Sequence, residues 1–373
     1  MNLDIRKAIL SMERYKPGKP IAELKREIPG LVYKRVIKLA SNENPLGPSP
    51  KALRAIARAL PELHRYPEST SPLLRQKLAR KYKIDLESVL IGSGADEILR
   101  LVVETFLGPK DVVVVSRHAF SRFKQNAQLM GSRVIEVPMK EYRHDLPAMA
   151  RAARANRAKV IFVANPNNPT GTFNNKKELG KFFDYLGPGG PLVVHDEAYC
   201  DFAADAWPKA YPQTLPGYDR LYSKLIVVRT LSKIVGLAGL RVGYAVADSH
   251  IIAAMDRARL IFNVSSLAQV GACAALEDNG HIKRTLEIIR EGRIFLVGEL
   301  RKLGFLVIEP NAVNFLFVRV PKFSGKEIFQ ALLKRGIIVR PIEEPGITDF
   351  IRITIGFPGE NRALIAALRR ILP

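Results

Sequence analysis

A lysine flanked by a serine and an arginine is the feature of this sequence that points most directly to chemistry. Lys233 lies in the stretch from Thr230 to Arg241 and follows a β-branched run, Leu225 to Arg229, that predicts a strand. A buried lysine with a lowered pKa forms imines with aldehydes, so Lys233 is a candidate to hold a carbonyl cofactor. Ser232 and Arg241 offer a hydroxyl and a guanidinium to a phosphate. As a lone feature, Lys233 is equally well a solvated loop lysine.

An acidic residue follows a second apolar run, Pro191 to His195. Asp196 therefore stands at the carboxyl end of a predicted strand, where open α/β sheets bind ligands. An aspartate there can keep a pyridine nitrogen protonated, and Tyr199 can hydrogen-bond a ring oxygen. The alternative for Asp196 is a helix cap, a position that aspartate also favours.

Two turns follow further predicted strands. The stretch Asn165 to Gly171 contains two prolines and a glycine, so the side chain of Asn168 is held in one place. The turn Gly92 to Glu97 lies between a strand and a helix, and free amides at a helix N-terminus suit a phosphate. These turns and the two strand ends carry one potential site.

Short apolar strands alternate with amphipathic helices from about residue 85. Because the strand runs are continuous, we expect burial on both faces and an α/β fold with a mostly parallel, seven-stranded sheet flanked by helices. After a helical stretch from about 248 to 303, separated strands predict a smaller α+β domain. We divide the chain into an N-terminal segment (1–45) packing on the small domain, a large domain (46–275) and a small domain (276–373).

Composition excludes several classes of protein. The chain has 373 residues, of which 47% are hydrophobic and 25% charged, as in a globular enzyme. No apolar run reaches membrane-spanning length and no export signal is apparent, so a cytoplasmic location is expected. Two distant cysteines, Cys200 and Cys273, indicate neither a disulfide framework nor a metal site. The net charge of +22 is spread over many helices, which argues against a nucleic-acid partner.

In this order and at these strand ends, the four pieces resemble the fold type I aminotransferases, which use pyridoxal 5'-phosphate. The resemblance implies that Lys233 carries the cofactor as a Schiff base and transfers protons, and that Asp196 pairs with the pyridine nitrogen. It implies that Asn168 and Tyr199 contact the phenolate. It further assigns the phosphate cradle and the ring-stacking position to Ala95, Asp96, Ser232, Arg241 and Phe120. Phe120 departs from the tyrosine frequent in the family but keeps the stacking face.

Within this group the sequence is most similar to the histidinol-phosphate aminotransferase family. The similarity rests on the stretches 15–20, 39–50, 65–68, 336–340 and 351–356. It implies 2-oxoglutarate as the amino acceptor and a homodimer in which Tyr66 reaches the cofactor phosphate of the neighbouring subunit. It also implies a site for a phosphorylated or carboxylated amino donor, built from Tyr15, Asn44, Arg340 and Arg352. Guanidinium groups bind such anions bidentately.

Other functions remain open at this point. An aromatic amino acid aminotransferase and a threonine-phosphate decarboxylase share the lysine and the arginines, so the sequence does not separate decarboxylation from transamination. A regulatory or nucleic-acid-binding protein on an inactive scaffold is a further alternative, which the basic charge permits. Retention of the candidate chemical groups, Lys233, Asp196, Asn168, Tyr199 and Arg241, argues against it.

Overall fold

The computed structural model describes residues 4–10, 12, 23, 36–215 and 217–372. Its strands, numbered in chain order, are β1 (Ile37–Lys38), β2 (Val89–Gly92), β3 (Val112–Ser116), β4 (Arg133–Val137), β5 (Val160–Ala164), β6 (Leu192–Asp196), β7 (Leu225–Thr230), β8 (Gly243–Val246), β9 (Leu306–Val307), β10 (Phe315–Arg319), β11 (Ile337–Ile338), β12 (Arg340–Pro341) and β13 (Phe350–Thr354).

The helices, also in chain order, are α1 (Lys7–Leu10), α2 (Pro50–Ala59), α3 (Pro72–Tyr82), α4 (Gly94–Phe106), α5 (Arg122–Leu129), α6 (Leu146–Ala155), α7 (Lys176–Leu186), α8 (Cys200–Ala206), α9 (Tyr218–Leu221), α10 (Ser249–Ala258), α11 (Ser266–Ala275), α12 (Asn279–Lys302), α13 (Gly325–Leu333) and α14 (Pro358–Ile371). The longest is α12, with 24 residues. Local caps define several starts; at α7, Asn175 and Glu178 form a reciprocal capping box.

A seven-stranded sheet forms the centre of the molecule, in the order β2-β8-β7-β6-β5-β3-β4. Strands β3 to β7 pair in parallel, and β8 runs antiparallel to both β2 and β7. Neighbouring residues point to opposite faces and pack into separate cores: Phe162 and Val228 on one side, Ile161 and Val227 on the other. Burial on both faces explains the continuous apolar runs in the sequence.

A second, four-stranded antiparallel sheet of order β12-β13-β10-β9 follows the long helix α12. In its centre Phe317 stacks on Phe350, with ring centroids 4.4 Å apart. The register brings Arg340 of β12 opposite Arg352 of β13. This register matters because it places two guanidinium groups side by side at one edge of the molecule's main cleft.

Strand β1 pairs in parallel with β11, so Ile37 lies opposite Ile337. The chain next hydrogen-bonds to β13, where Thr354 N donates to Leu39 O at 2.8 Å. The part of the N-terminal segment from residue 36 onward thus contacts the carboxyl-terminal sheet. The division at residues 45 and 275 is retained here as a proposal. Among the described residues, none of the helices has the length and apolar character needed to cross a membrane.

Candidate active site

A cleft of about 920 Å³ lies between the carboxyl ends of the parallel strands and the four-stranded sheet. It brings together residues from widely separated parts of the chain. Of the predicted site residues, its lining includes Ala95, Asp96, Phe120, Asn168, Asp196, Tyr199, Ser232, Lys233, Arg241, Arg340 and Arg352. Parallel strands expose their carboxyl ends at one edge of a sheet, which is why four separate sequence motifs meet here.

Lys233 follows β7 and points its amine into this cleft. Its Nζ lies 3.4 Å from Ser41 O and 5.8 Å from the centre of the Tyr199 ring. Burial, together with the positive charge of the nearby Arg352 guanidinium, lowers the pKa of Lys233 to about 8. A larger fraction of this amine is therefore neutral, and nucleophilic, near neutral pH than in an exposed lysine.

The segment 44–49 forms hydrogen bonds to the loop that carries Lys233. Asn44 Nδ2 lies 3.1 Å from Lys233 O and 3.0 Å from Ile234 O, and Ser49 N donates to Val235 O at 3.1 Å. Gly236 has φ of +70°, and a Cβ at this position would collide with Gly47 O. Three successive carbonyls of the lysine loop are thus bound by one segment.

Asp196 is the last residue of β6, which pairs with β7, the strand that leads to Lys233. Its Oδ1 accepts a hydrogen bond of 2.9 Å from Ala198 N. Burial raises the pKa of Asp196 to about 7; the hydrogen bond from Ala198 opposes this shift. A carboxylate buried in this way needs a cationic or N–H partner in the cleft to be stabilised in its charged form.

Asn168 and Tyr199 both line the cleft, and each is hydrogen-bonded. Asn168 Oδ1 accepts from Arg352 Nη1 at 2.6 Å, and Tyr199 Oη accepts from Asn42 Nδ2 at 2.8 Å. The Tyr199 ring also packs edge-on against Phe315, at 5.3 Å between centroids. Both polar groups are thus oriented by residues outside the large sheet.

The turn before α4 and the residues around Arg241 form an anion-binding corner. Gly94 has φ of +77°, and Arg241 also adopts a left-handed conformation, with φ of +54°. Arg241 Nη2 lies 3.3 Å from Asp96 Oδ2, so an anion bound here would compete with that carboxylate. Gly243 is required by close packing, because a Cβ there would lie 2.5 Å from Ala95 N.

The opposite wall belongs to the small sheet. Arg352 donates from Nη2 to Ala40 O at 2.7 Å, and its guanidinium lies 5.2 Å from the centre of the Phe315 ring. Arg340 and Glu344 line the same wall, and Glu344 Oε2 lies 2.9 Å from His118 Nδ1. The wall therefore combines guanidinium groups suited to an anion with a side-chain bridge to the turn that bears Phe120.

Two of the predicted site residues that the structure describes are not placed on the cleft wall. Asn44 is buried and bonds to the lysine loop and to Thr285 Oγ1 at 3.1 Å, which indicates a supporting position instead of the predicted substrate contact. Tyr66 is 84% exposed and stacks on Phe262, with centroids 4.8 Å apart. Tyr15 lies outside the described residues.

A buried ion pair supports the two strand ends from the far side of the sheet. Arg229, four residues before Lys233, donates to the Oε2 atom of Glu197 from Nε at 2.8 Å and lies 2.7 Å from it through Nη2. His195 lies beside this pair, 3.5 Å from Glu197, and burial lowers the pKa of His195 to about 3. Two strands that carry candidate catalytic groups are thereby tied together.

The family model for aminotransferase class I and II matches residues 34–368 of this sequence. That range contains the whole cleft. The chain belongs to the class I and II aminotransferase family. The predicted α/β fold and the predicted enzyme class, a pyridoxal-phosphate-dependent aminotransferase, are confirmed.

Aminotransferases of named function are similar over nearly the whole chain. A histidinol-phosphate aminotransferase of Moorella thermoacetica is 45% identical over 98% of this chain and 92% of its own length. One of Symbiobacterium thermophilum is 40% identical over 99% and 98%. The crystal structure of histidinol-phosphate aminotransferase from Sinorhizobium meliloti in complex with pyridoxal 5'-phosphate has a TM-score of 0.89 and 27% identity, over 100% of this chain and 98% of that one.

The aminotransferase cleft fits pyridoxal phosphate on its own geometry. Asp196 is a buried carboxylate that accepts a hydrogen bond from Ala198 N, and a protonated ring nitrogen would give it a directly bound cationic partner. The first-turn amides of α4, with no side-chain cap from Ser93 in the described structure, suit a phosphate. Lys233 supplies the amine. No cluster of three or more His, Cys, Asp or Glu among the described residues is arranged to hold a metal.

Sequence reasoning missed several residues of this aminotransferase cleft. Ser41, Asn42 and Glu43 line it, although the stretch containing them was quoted only as a family motif. Glu344 and its contact with His118 were also missed. The polar run Asn42-Glu43-Asn44 was the available signal, because polar residues between apolar stretches are buried only when they have partners.

Because folding raises the pKa of Asp196 to about 7 from a reference of 3.8, the cofactor-free folded protein retains a proton that the unfolded chain loses. Its free energy of unfolding should therefore fall as pH rises from about 4 to 7, by at most about 1.4 kcal/mol per pH unit from this group. Asp196→Asn should lack that contribution. Urea unfolding of both proteins at pH 5, 6 and 7 measures the difference, and parallel pH dependences would contradict the assignment.

Proposed function

We propose that this chain is a histidinol-phosphate aminotransferase that uses pyridoxal 5'-phosphate and passes the amino group to 2-oxoglutarate. One observation carries the proposal: the amine of Lys233 and the carboxylate of Asp196 share a cleft with two guanidinium groups of the small sheet. The first pair suits the cofactor and the second suits an anionic amino donor. The names of the relatives supply the donor.

The bound cofactor supplies an aldehyde for the donor's amine and a ring that withdraws electrons. Lys233 would hold it covalently through Nζ; when the donor's amine replaces Nζ on the cofactor, the released Nζ would be free to take the proton from the donor's α-carbon. With a pKa of about 8, this amine is a suitable base near neutral pH. Asp196 keeps the ring nitrogen protonated, which requires a negative charge in a buried place. The raised pKa of Asp196 reflects that burial.

The remaining cofactor residues orient the group and bind its phosphate. Asn168 and Tyr199 contact the ring oxygen, and Phe120 stacks on the ring. The phosphate is bound by Ser232, Arg241 and the first-turn amides of Ala95 and Asp96. Support comes from the positions of these groups around one cleft and from the left-handed backbone at Arg241, a conformation that tends to occur at functional sites.

The donor's phosphate is bound by Arg340 and Arg352, with Tyr15 as a further contact. We assign Asn44 to supporting the lysine loop, because its amide is occupied by Lys233 O, Ile234 O and Thr285 Oγ1. The two arginines are Cα partners on adjacent strands, so their guanidinium groups can approach one anion together. A cytoplasmic location remains part of the prediction.

Arg352→Met is expected to lower kcat/KM for a phosphorylated donor by about 10²- to 10³-fold, because one partly buried, charged hydrogen-bonding partner is lost. Steady-state kinetics with histidinol phosphate measures the effect. Arg319→Met is the matched control, since Arg319 pairs with Asp349 on the exposed end of β10. A loss confined to kcat, with the KM for histidinol phosphate unchanged, would contradict a binding role. Equal losses of kcat/KM in both variants would contradict it as well.

A homodimer completes the proposal. Exposed apolar side chains occur on two stretches, which meet where Tyr66 stacks on Phe262: Leu53, Leu60, Leu63 and Leu73 on the first, Leu260 and Ile261 on the second. Apolar surface of this extent favours a protein interface. Tyr66, 84% exposed in one chain, is then positioned to serve the partner's cofactor phosphate.

Ile261→Asp is expected to convert the dimer into monomers and to weaken cofactor binding at the same time. The reason is that a charge in an apolar interface is costly, and separation removes Tyr66 of the partner subunit. Analytical ultracentrifugation and fluorescence titration with the cofactor test this. Leu306→Asp, on an exposed leucine of β9, is the control and should leave the mass unchanged. A monomeric parent protein with full cofactor affinity would refute the dimer.

A visible absorption spectrum of the purified protein tests the function as a whole. Addition of histidinol phosphate without a keto acid should convert the cofactor band to that of the aminated cofactor, and 2-oxoglutarate should restore it with formation of glutamate. A band that does not respond would discard the donor while keeping the cofactor. Release of carbon dioxide would instead identify a decarboxylase, and absence of any band would refute the cofactor.

A further inference from the structure

A short segment, Leu39 to Asn44, crosses between the two sheets and contacts the main groups of the cleft on both sides. Ala40 O accepts from Arg352, Ser41 O lies 3.4 Å from Lys233 Nζ, and Asn44 binds the lysine loop. Asn42, in the middle, is 2% exposed. Its side chain hydrogen-bonds both to Thr354 of β13 and to Tyr199, which follows β6.

Asn42 is fixed by residues of the small sheet and its approach. Its φ is +54°, its backbone N donates to Thr354 Oγ1 at 2.9 Å, and its carbonyl accepts from Asn314 Nδ2 at 3.0 Å. The Thr354 hydroxyl in turn lies 3.3 Å from Asn42 Oδ1 and donates to it. That bond turns the amide oxygen toward β13 and the amide nitrogen away from it.

The amide nitrogen meets Tyr199, a residue of the large domain. Asn42 Nδ2 donates to Tyr199 Oη at 2.8 Å, and both residues are buried. A phenol that accepts a hydrogen bond becomes a stronger donor through its own O–H, because hydrogen bonds in a chain polarise one another. The Tyr199 ring also packs against the Phe315 ring of β10. Asn42 thus fixes the oxygen of the phenol, and Phe315 fixes its plane.

We propose that Asn42 is a positioning residue for the reaction: it orients and polarises the Tyr199 hydroxyl, and so tunes the oxygen of the cofactor ring from the small sheet. This inference rests on the proposed function, because it needs a ring oxygen at Tyr199. It adds a residue that is buried in the cleft wall and is assigned its role through its hydrogen bond to Tyr199. The amide acts through Tyr199 alone, so its effect must vanish when the Tyr199 hydroxyl is absent.

The test is a double-mutant cycle of Asn42→Gly and Tyr199→Phe in the holoenzyme, read from the pH midpoint of the cofactor's absorption band. Glycine adopts the positive φ without strain, so the amide is removed with little change in backbone. A weaker hydrogen bond to the ring oxygen leaves more negative charge on that oxygen. This charge stabilises the protonated form of the lysine nitrogen beside it. Asn42→Gly should therefore raise the midpoint by about half to one pH unit.

In the Tyr199→Phe background the same substitution should shift the midpoint by less than about a fifth of a unit. Equal shifts in both backgrounds, or no shift in either, would overturn the proposal. Asn361→Ala is the matched control, because Asn361 is also buried and bonds to Gly356, yet lies away from Tyr199; it should lower Tm without moving the midpoint.

If Asn42→Gly does not fold, Asn42→Asp provides the same cycle. Its carboxylate keeps the shape and tolerates the positive φ, but it accepts where the amide donates, and so draws the Tyr199 proton away from the ring. The midpoint should rise more with the tyrosine present than in the Tyr199→Phe background, because the new carboxylate also acts directly on the lysine nitrogen. A parent enzyme without any cofactor band would refute the proposed function instead, which separates the two failures.

Discussion

Lys233→Ala is expected to lower amino transfer by at least about 10⁴-fold, because one residue supplies both the covalent attachment and the proton-transferring base. The cofactor should still bind through its phosphate, but without a lysine-linked absorption band. The cleft geometry supports this, since the amine of Lys233 lies among groups that would surround the cofactor. Single-turnover measurements with histidinol phosphate give the rate.

Two further variants separate chemistry from charge. Lys233→Arg keeps a positive charge but cannot be deprotonated near neutral pH, so it should be as inactive as the alanine variant. Lys224→Ala removes an exposed lysine that bonds to Gly190 O, and it should retain full activity. Activity within tenfold of the parent in either Lys233 variant would refute the assigned mechanism.

Asp196→Asn is expected to reduce kcat/KM by about 10²- to 10⁴-fold, because a neutral amide cannot keep the ring nitrogen protonated. Asparagine has nearly the same size and shape as aspartate, so the fold should persist. Asp196→Glu should retain more activity than Asp196→Asn, since it keeps the carboxylate. Steady-state kinetics with both substrates and a thermal melt of each variant make the comparison.

Asp205→Asn is the control for Asp196, because Asp205 forms an ion pair with Arg290 on the surface. It should change neither kcat nor KM. The assignment of Asp196 would fail if the asparagine variant kept more than a tenth of the parent activity. It would also fail if the glutamate and asparagine variants lost activity equally while remaining folded.

Local patterns carried most of the information about the large sheet. The run Leu225 to Arg229 predicts a strand, because continuous β-branched residues suit strands buried on both faces, and the structure has this strand with one further residue, Thr230. The strand expected from the run Pro191 to His195 begins one residue later, at Leu192, and ends at Asp196. Strand ends are less certain in sequence because they depend on long-range hydrogen bonds.

Long-range pairing was beyond the sequence alone. The two-residue strands β1, β11 and β12 have no recognisable period, and the antiparallel direction of β8 depends on how the chain returns to the sheet. Predicting a single helical stretch over 248–303 was also too coarse, since it contains α10, α11 and α12. Caps at Asp248, Ser265 and Asp278 mark the starts of these helices.

The site was predictable where a motif follows a strand, and it was not where residues of the two sheets and the segment between them meet. Lys233 and Asp196 follow apolar runs, so their shared edge can be inferred from parallel-sheet geometry. Asn44 was expected at the substrate, yet its amide bonds under the lysine loop. The bond from Asn42 to Tyr199 joins residues far apart in sequence, and no local period reports it.

The pairing of Ile37 with Ile337 also sets an order for assembly during synthesis. At about 5–20 residues per second, β1 emerges tens of seconds before its partner strand exists. The strands from Val89 to Val246 are complete by then, so the wall with Lys233 and Asp196 can form first. The nascent chain should therefore gain its cofactor wall before its arginine wall, and ribosome-bound chains ending before β11 should lack the closed cleft.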